Sequence, residues 1–476
     1  MKNIDEILAI ESADEMIEEL SRRSTPQPHI HTLEKEYYPQ GHKINDSSLR
    51  PDKAVKGQDG NIERFEPVAR IALPLQRIIV ERAVAFLFGN EVKISCTRND
   101  EKAGCAWEAI RRTQADNKTG SLNRRLARTL MSETEVAELW YPVPERGFWD
   151  KIGSDDRYSF VKSVQPAHKL RVCIFSPSQG DKLYPLFDGY GDMIAFSRMW
   201  SSADDDTEHY ETYTDRCILR FSRAKGGKWE MTANIENRIG KIPVIYASQR
   251  QSEWADVQCL IERLEKLLSN FADTNDYHSS PKIFVTGEIR GFARKGETGA
   301  IIEGEANSTA QYLSWQQAPE SVRLEINTLL GMIYSTTQTP DISFDSVKGL
   351  ANTSGIALKM MFLDAHLKVQ NKCEMWNEYL ERRMNIIRSY MKVLNTAIAP
   401  HIDSLEIRQE IQPYMIDDRT ANIQALNIAS GGKALISQRS AVRLSGLSTD
   451  PEEEYDTIIS EKQINDIQQG SLNFTM

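Results

Sequence analysis

Between Gly355 and Pro400 the chain carries no glycine and no proline, so a helix that starts there meets no residue that would break it. Its apolar residues recur at Leu358, Phe362, Ala365, Val369, Cys373, Trp376, Leu380, Met384, Ile387, Met391 and Leu394. Steps of three and four follow one another without a slip, which is the signature of one buried helical face. The stretch Ile356 to Ala399 predicts a rod of roughly 60 Å. A compact domain rarely needs such a rod, and its length points to a subunit shaped by assembly with copies of itself. Upstream, Thr339-Pro340-Asp341 ends the preceding helix, a short loop covers Phe344 to Thr353, and Ser354-Gly355 launches the rod.

The 476 residues leave room for roughly two to four domains and a large core. A hydrophobic content of 40% against 26% charged residues predicts a folded chain. The formal net charge of -10 argues against a protein that wraps nucleic acid by neutralising many phosphates, although it leaves room for one that surrounds DNA loosely. Cysteines at 96, 105, 173, 217, 259 and 373 form no CxxC pair, as expected of reduced thiols in a cytoplasmic protein. Met1 to Ser21 is acidic and amphipathic, unlike a signal peptide. The longest apolar stretch, Ile78 to Phe88, is cut by Glu81-Arg82 and is too short to span a bilayer. The expectation is a soluble product with no membrane partner.

Along the chain, residues 3 to 23 read as a helix ended by Ser24-Thr25-Pro26-Gln27-Pro28, and a loop-rich segment follows. Leu75 to Phe88 reads as a buried helix, with Pro74 before it and Gly89 after it. A more basic helix is expected over Asn117 to Met131. From 133 to 250 short β-type runs alternate with turn chemistry: Val136 to Tyr141, Arg171 to Phe175, Ile194 to Met199, His209 to Tyr213, Cys217 to Phe221 and Trp229 to Thr232. Such spacing predicts antiparallel sheet. A helix from Ser252 to about Phe271 follows. Extended to Ser280, it carries Glu253, Asp256, Glu262, Glu265, Asp273 and Asp276 against only Arg263 and Lys266. Strands are expected again within 281 to 317, then a helix from Glu320 to about Tyr334. After the rod, Leu405 to Ile411 reads as a strand, and helices are expected over Arg419 to Ile428, Ser437 to Leu444 and Glu452 to Lys462.

A search for chemistry finds no phosphate-binding loop: Gly431-Gly432-Lys433-Ala434 lacks both the loop spacing and the hydroxyl that magnesium needs. Neither a G-x-S-x-G elbow nor an H-E-x-x-H pair occurs. His29-x-His31 lies in a proline-flanked loop without a nearby cysteine ligand. Asp204-Asp205-Asp206 with Glu208 and His209 has the carboxylates a hard cation prefers but not the spacing of a calcium loop, and reads first as a solvated turn. His366, beside core residue Ala365, fits packing better than catalysis. No catalytic residue, metal site or cofactor is assigned.

The order of the elements resembles the portal proteins of tailed bacteriophages, closest to the smaller portals of long-tailed phages. The resemblance rests on Tyr38-Pro39-Gln40-Gly41-His42-Lys43-Ile44, on Leu75 to Gly89 followed by Val92-Lys93-Ile94, and on Gly240-Lys241-Ile242-Pro243-Val244-Ile245. Pro340-Asp341 with Ser354-Gly355-x-Ala357-Leu358-Lys359, and Ile436-Ser437 through Asp450-Pro451-Glu452, complete it. These pieces occur in the family's order across roughly residues 36 to 460. The polar tail and the Asp204 region have no counterpart in it.

The resemblance implies an α+β fold with a mixed helical and antiparallel-sheet wing, a two-helix stem, a small β clip, a long wing helix and a helical crown. Carried onto this chain, 1–29 is an N-terminal helical arm, 30–251 the wing, 252–280 the first stem helix and 281–317 the clip. Residues 318–340 are the second stem helix, 341–355 the tunnel loop, 356–399 the long wing helix and 400–476 the crown and tail. It implies a ring of twelve copies at one capsid vertex, present in the host cytoplasm during assembly, with double-stranded DNA passing through. Terminase large subunit, head–tail adaptor, major capsid and scaffolding proteins are the implied partners. A DNA channel should hold few cations, since tight phosphate binding would halt translocation. Phe344, Asp345, Lys348 and Asn352 of the tunnel loop and Arg323 of the second stem helix are the channel candidates. Arg290, Arg294 and Lys295 are candidates for partner docking at the clip. Two other readings stay open: a different virion connector or baseplate component, and a metal-dependent nuclease built on the Asp204 cluster.

Overall fold

The computed structural model describes residues 3–23, 26–57, 59–97, 101–145, 147–161, 168–202, 206–278, 282–286, 309–313, 318–342, 360, 362–414, 419–431, 434–448 and 450–472. The chain divides into two compact units, one of Met1–Val84, Ser121–Pro142 and Leu170–Pro340, the other of Ala85–Gly120, Val143–Lys169 and Asp341–Met476. Helices and antiparallel strand pairs mix in the fold, as the α+β expectation has it.

The first unit is organised by a five-stranded meander, Lys182–Phe187, Met193–Ser201, Thr207–Tyr213, Cys217–Ala224 and Glu230–Glu236, each strand antiparallel to the next. Both its faces are apolar, because neighbouring residues of a strand point to opposite sides. Ala195 belongs to a core with Tyr210, Phe221 and Trp229, while Phe196 belongs to another with Leu183 and Tyr213. Helices Ile4–Leu8 and Ala13–Leu20 bring Ile7, Met16, Ile17 and Leu20 to the first core. A three-stranded sheet of Val244–Ser248, Glu135–Pro144 and His168–Phe175 supplies Val244, Ala137 and Phe175 to the second.

The sequence predicts one helix over 3–23, and the structure has two. Ser12 is the reason: its hydroxyl accepts the Glu15 N–H, which caps a new helix start in the middle of the stretch. Strand Lys182–Phe187 is also unanticipated. It carries Pro185, which an outer strand of a sheet tolerates and an inner one does not.

In the second unit the rod is a helix of 32 residues, Leu363–Leu394, about 48 Å long. Ala365, Val369, Trp376, Leu380, Met384, Ile387 and Met391 are buried, as the three-four spacing requires. Tyr379, Arg383 and Tyr390 widen that face beyond what hydrophobicity alone marks. Phe88 meets the Trp376 ring edge-on at 5.1 Å and Phe86 lies 5.4 Å from Phe362. The expected continuation to Ala399 is cut at Asn395, whose backbone is extended and whose side-chain oxygen accepts the Ala397 N–H. Strand Glu406–Glu410 then pairs with Lys93–Thr97. Helices Arg419–Ser430 and Gln438–Ser445 stand where the sequence predicts them, and Pro451–Leu472 runs ten residues past the end expected at Lys462.

Candidate functional site

In the first unit helix Gln258–His278, strands Lys282–Thr286 and Thr309–Leu313, and helix Ala318–Thr336 follow one another along the chain. The strands pair antiparallel from Lys282 opposite Leu313 to Thr286 opposite Thr309. The two helices pack on each other, and Arg263 holds Glu325 at 2.6 Å. Ile261 and Leu264 of the first and Leu329 and Ile333 of the second are buried. The second helix ends where Pro340 predicts, fixed by the Arg82 guanidinium, which donates to the Pro340 carbonyl at 2.6 Å and covers the Tyr334 ring.

The first of these helices is tied to the segment just before Leu75 by a regular set of side-chain bonds. Glu265 accepts the Leu73 N–H at 2.8 Å, Ser269 the Ile71 N–H at 2.9 Å, and Asp273 the Ala69 N–H at 2.9 Å. Every fourth residue of the helix thus meets every second residue of the segment. The match is geometric: four helical residues advance about 6.0 Å and two extended residues about 6.6 Å. Arg50 adds bonds to Asn270 at 2.8 Å and Asp273 at 2.7 Å. His42 and Glu265 meet at 2.6 Å with both side chains 2% exposed, and the other ring nitrogen of His42 lies 2.8 Å from the Glu36 carbonyl. Lys43 pairs with Glu262 at 2.8 Å, and that bond raises the lysine pKa.

Glu262, Glu265 and Asp273 are engaged with Lys43, His42, Arg50 and backbone N–H groups of their own chain. The reason is that a run of N–H groups outside any sheet needs acceptors, and these side chains provide them. In the sequence the only trace is the polar series Glu265, Ser269, Asp273 at intervals of four.

Of the channel candidates, Arg323 lies exposed on the second helix, next to Leu324, which is 69% exposed. Phe344, Asp345, Lys348 and Asn352, and the docking candidates Arg290, Arg294 and Lys295, lie outside the described residues. In the Asp204 region, Glu208 is bound to Arg223 at 2.6 Å and His209 stacks on Trp200 at 5.1 Å. Asp206 is exposed, 3.7 Å from Lys225. Among the described residues no group of three potential ligands could hold a metal ion, and no helix is long and apolar enough to cross a membrane.

A family model described as "Phage portal protein, SPP1 Gp6-like" matches residues 22–468. The chain belongs to the phage portal protein family. This portal sequence has no match among curated proteins. Solved structures similar to it include the neck of a native gene transfer agent particle computed with C12 symmetry, at 10% identity and a TM-score of 0.40, covering 90% of this chain and 96% of that one. The virion of a native gene transfer agent particle is similar at 9% identity and a TM-score of 0.37, covering 90% of this chain and 96% of that one.

Proposed function

We propose that this portal protein forms a ring of twelve copies at one capsid vertex, through which double-stranded DNA is packaged and later ejected. The observation that carries the reading is the helix–hairpin–helix element inside a family match over residues 22–468. In this reading 252–280 and 318–340 are the stem, 281–317 the clip and 341–355 the tunnel loop. Residues 1–29 form the arm, 30–251 the wing, 356–399 its long helix and 400–476 the crown and tail.

The chain conducts and organises; it does no chemistry. A terminase supplies the work of packaging and docks, like the later head–tail adaptor, at the clip through Arg290, Arg294 and Lys295. Capsid and scaffolding proteins surround the assembled ring, which forms in the host cytoplasm and ends in the virion. Lys348 is the phosphate contact of the tunnel loop, with Asp345 limiting its grip and Phe344 and Asn352 beside it. Arg323 is a second charge facing the channel.

Negative-stain images of the purified protein test the reading. Twelve-fold rings with a central hole wide enough for duplex DNA are expected, and a chain that stays monomeric under all conditions overturns it. An assay with magnesium or manganese should find no nuclease activity to lose in Asp204→Ala.

A further inference from the structure

Two stretches of the first unit are left open by the fold. One is the ribbon of Lys53–Lys56 and Ile62–Glu66, in which only Val55 is even partly buried. Phe65 is 64% exposed and Ile62 54%. A two-stranded ribbon standing alone is marginal in water, and an exposed aromatic makes it more so. Its base is nonetheless fixed, since Arg70 holds Asp52 at 2.8 Å and Arg50 holds Asp273 at 2.7 Å.

The other stretch is Glu230–Glu236, the outer strand of the five-stranded meander. Its free edge has no strand beside it among the described residues. The edge is guarded by Glu230 and Glu236 at its ends and by a bulge near one of them, but Met231 to Ile235 between them carry no charge and no proline. Its register slips between Met231 and Ala233. Met231 therefore lies opposite Phe221 and Ile235 opposite Ile218, on opposite faces, and both are exposed.

We propose that the ribbon of one copy docks along the Glu230–Glu236 edge of the next copy and extends its sheet. The inference rests on the ring reading and names the surface that closes the ring. Open backbone N–H and C=O groups of the two edges pair, as in other strand additions. Phe65 and Ile62 share one face of the ribbon, opposite Ala54 and Lys56, and on that face they adjoin one of the two exposed apolar residues of the edge, Met231 or Ile235. The charges agree: Lys56 is exposed on the ribbon and Glu230 on the edge strand, and neither has an ion pair among the described residues. Ribbon and edge are different surfaces of the same chain, so the contact can repeat head-to-tail around a ring, as the ring reading requires.

Two double variants test this, Ile62→Asp/Phe65→Asp on the ribbon and Met231→Asp/Ile235→Asp on the edge, read by analytical ultracentrifugation with circular dichroism as the folding control. Each alone should lose the ring and sediment as a folded monomer. Mixed in equal amounts they should give one-to-one pairs and nothing larger, since only the ribbon of the second and the edge of the first remain intact. General destabilisation would not produce that stoichiometry. If either aspartate variant fails to fold, Ile62→Ser/Phe65→Ser or Met231→Ser/Ile235→Ser replaces it, and should raise the concentration for half-assembly at least about tenfold. Full rings from either variant, or a mixture without pairs, overturn the docking proposal while the ring reading stands. An unaltered chain that forms no ring overturns both.

Discussion

At the scale of single residues, the least comfortable group in the first unit is Glu133. Burial raises its carboxyl pKa, and the two bonds it accepts from the Ser178 N–H and hydroxyl at 2.9 and 2.8 Å only partly offset that. A carboxyl that titrates higher in the folded than in the unfolded chain binds its proton more tightly when folded. Its stabilising contribution is fully present below the unfolded value and is lost as pH rises through the folded one. Glu133→Gln, which keeps an acceptor for Ser178 without the charge, removes this dependence. The melting temperature of the natural protein minus that of Glu133→Gln should therefore increase as pH falls from 7 towards 4.5. A flat difference over that range would mean Glu133 is not desolvated. In the second unit Trp376 is fully buried against Phe88. Trp376→Ala should lower unfolding free energy by about 3–5 kcal/mol in denaturant titrations.

At the scale of elements, the link between helix Gln258–His278 and the segment before Leu75 makes a graded prediction. Ser269→Ala removes one neutral acceptor and should cost about 1–2 kcal/mol. Glu265→Ala strips the acceptor from Leu73 and the carboxylate from buried His42, and should cost about 3–5 kcal/mol. Equal effects in urea titrations would show that the pair with His42 adds nothing to the backbone bond. This link also marks where sequence reasoning stops. Periodicity marks the rod, four of the five strands of the meander and the two helices flanking strands Lys282–Thr286 and Thr309–Leu313, because each writes its burial into its own residues. The bonds of Glu265, Ser269 and Asp273 join positions about two hundred residues apart, and no local pattern names the distant backbone they serve. Helix Glu101–Asp116 went unanticipated for a different reason. Its buried face sets Trp107 and Ile110 among Ala103, Cys105, Ala106 and Ala109, small side chains that dilute the hydrophobic signal. A Cβ at Gly104 would lie 2.9 Å from the Tyr158 hydroxyl, so any larger residue there would require that ring to shift.

At the scale of the whole molecule, the balance of charge decides how a ring of these subunits can treat DNA. Each positive charge set against a phosphate releases counterions and tightens binding, so a conduit works by presenting few of them. The chain carries 58 basic against 68 acidic residues, and Glu262, Glu265 and Asp273 of helix Gln258–His278 are engaged within the chain. Weak adhesion then depends on scarcity of cations near the DNA more than on an acidic wall. In the proposed reading Lys348 is the cation of the tunnel loop, and one contact per subunit that breaks and reforms would let DNA slide. Lys348→Ala should leave ring assembly unchanged and lower retention of packaged DNA only modestly, measured as nuclease-protected DNA per particle. Loss of oligomers in that variant would place the loop at a subunit interface and not in the channel. Lys348→Glu separates the remaining possibilities: repulsion of phosphate should reduce retention further than alanine does, whereas a lysine that never meets DNA should tolerate both changes equally.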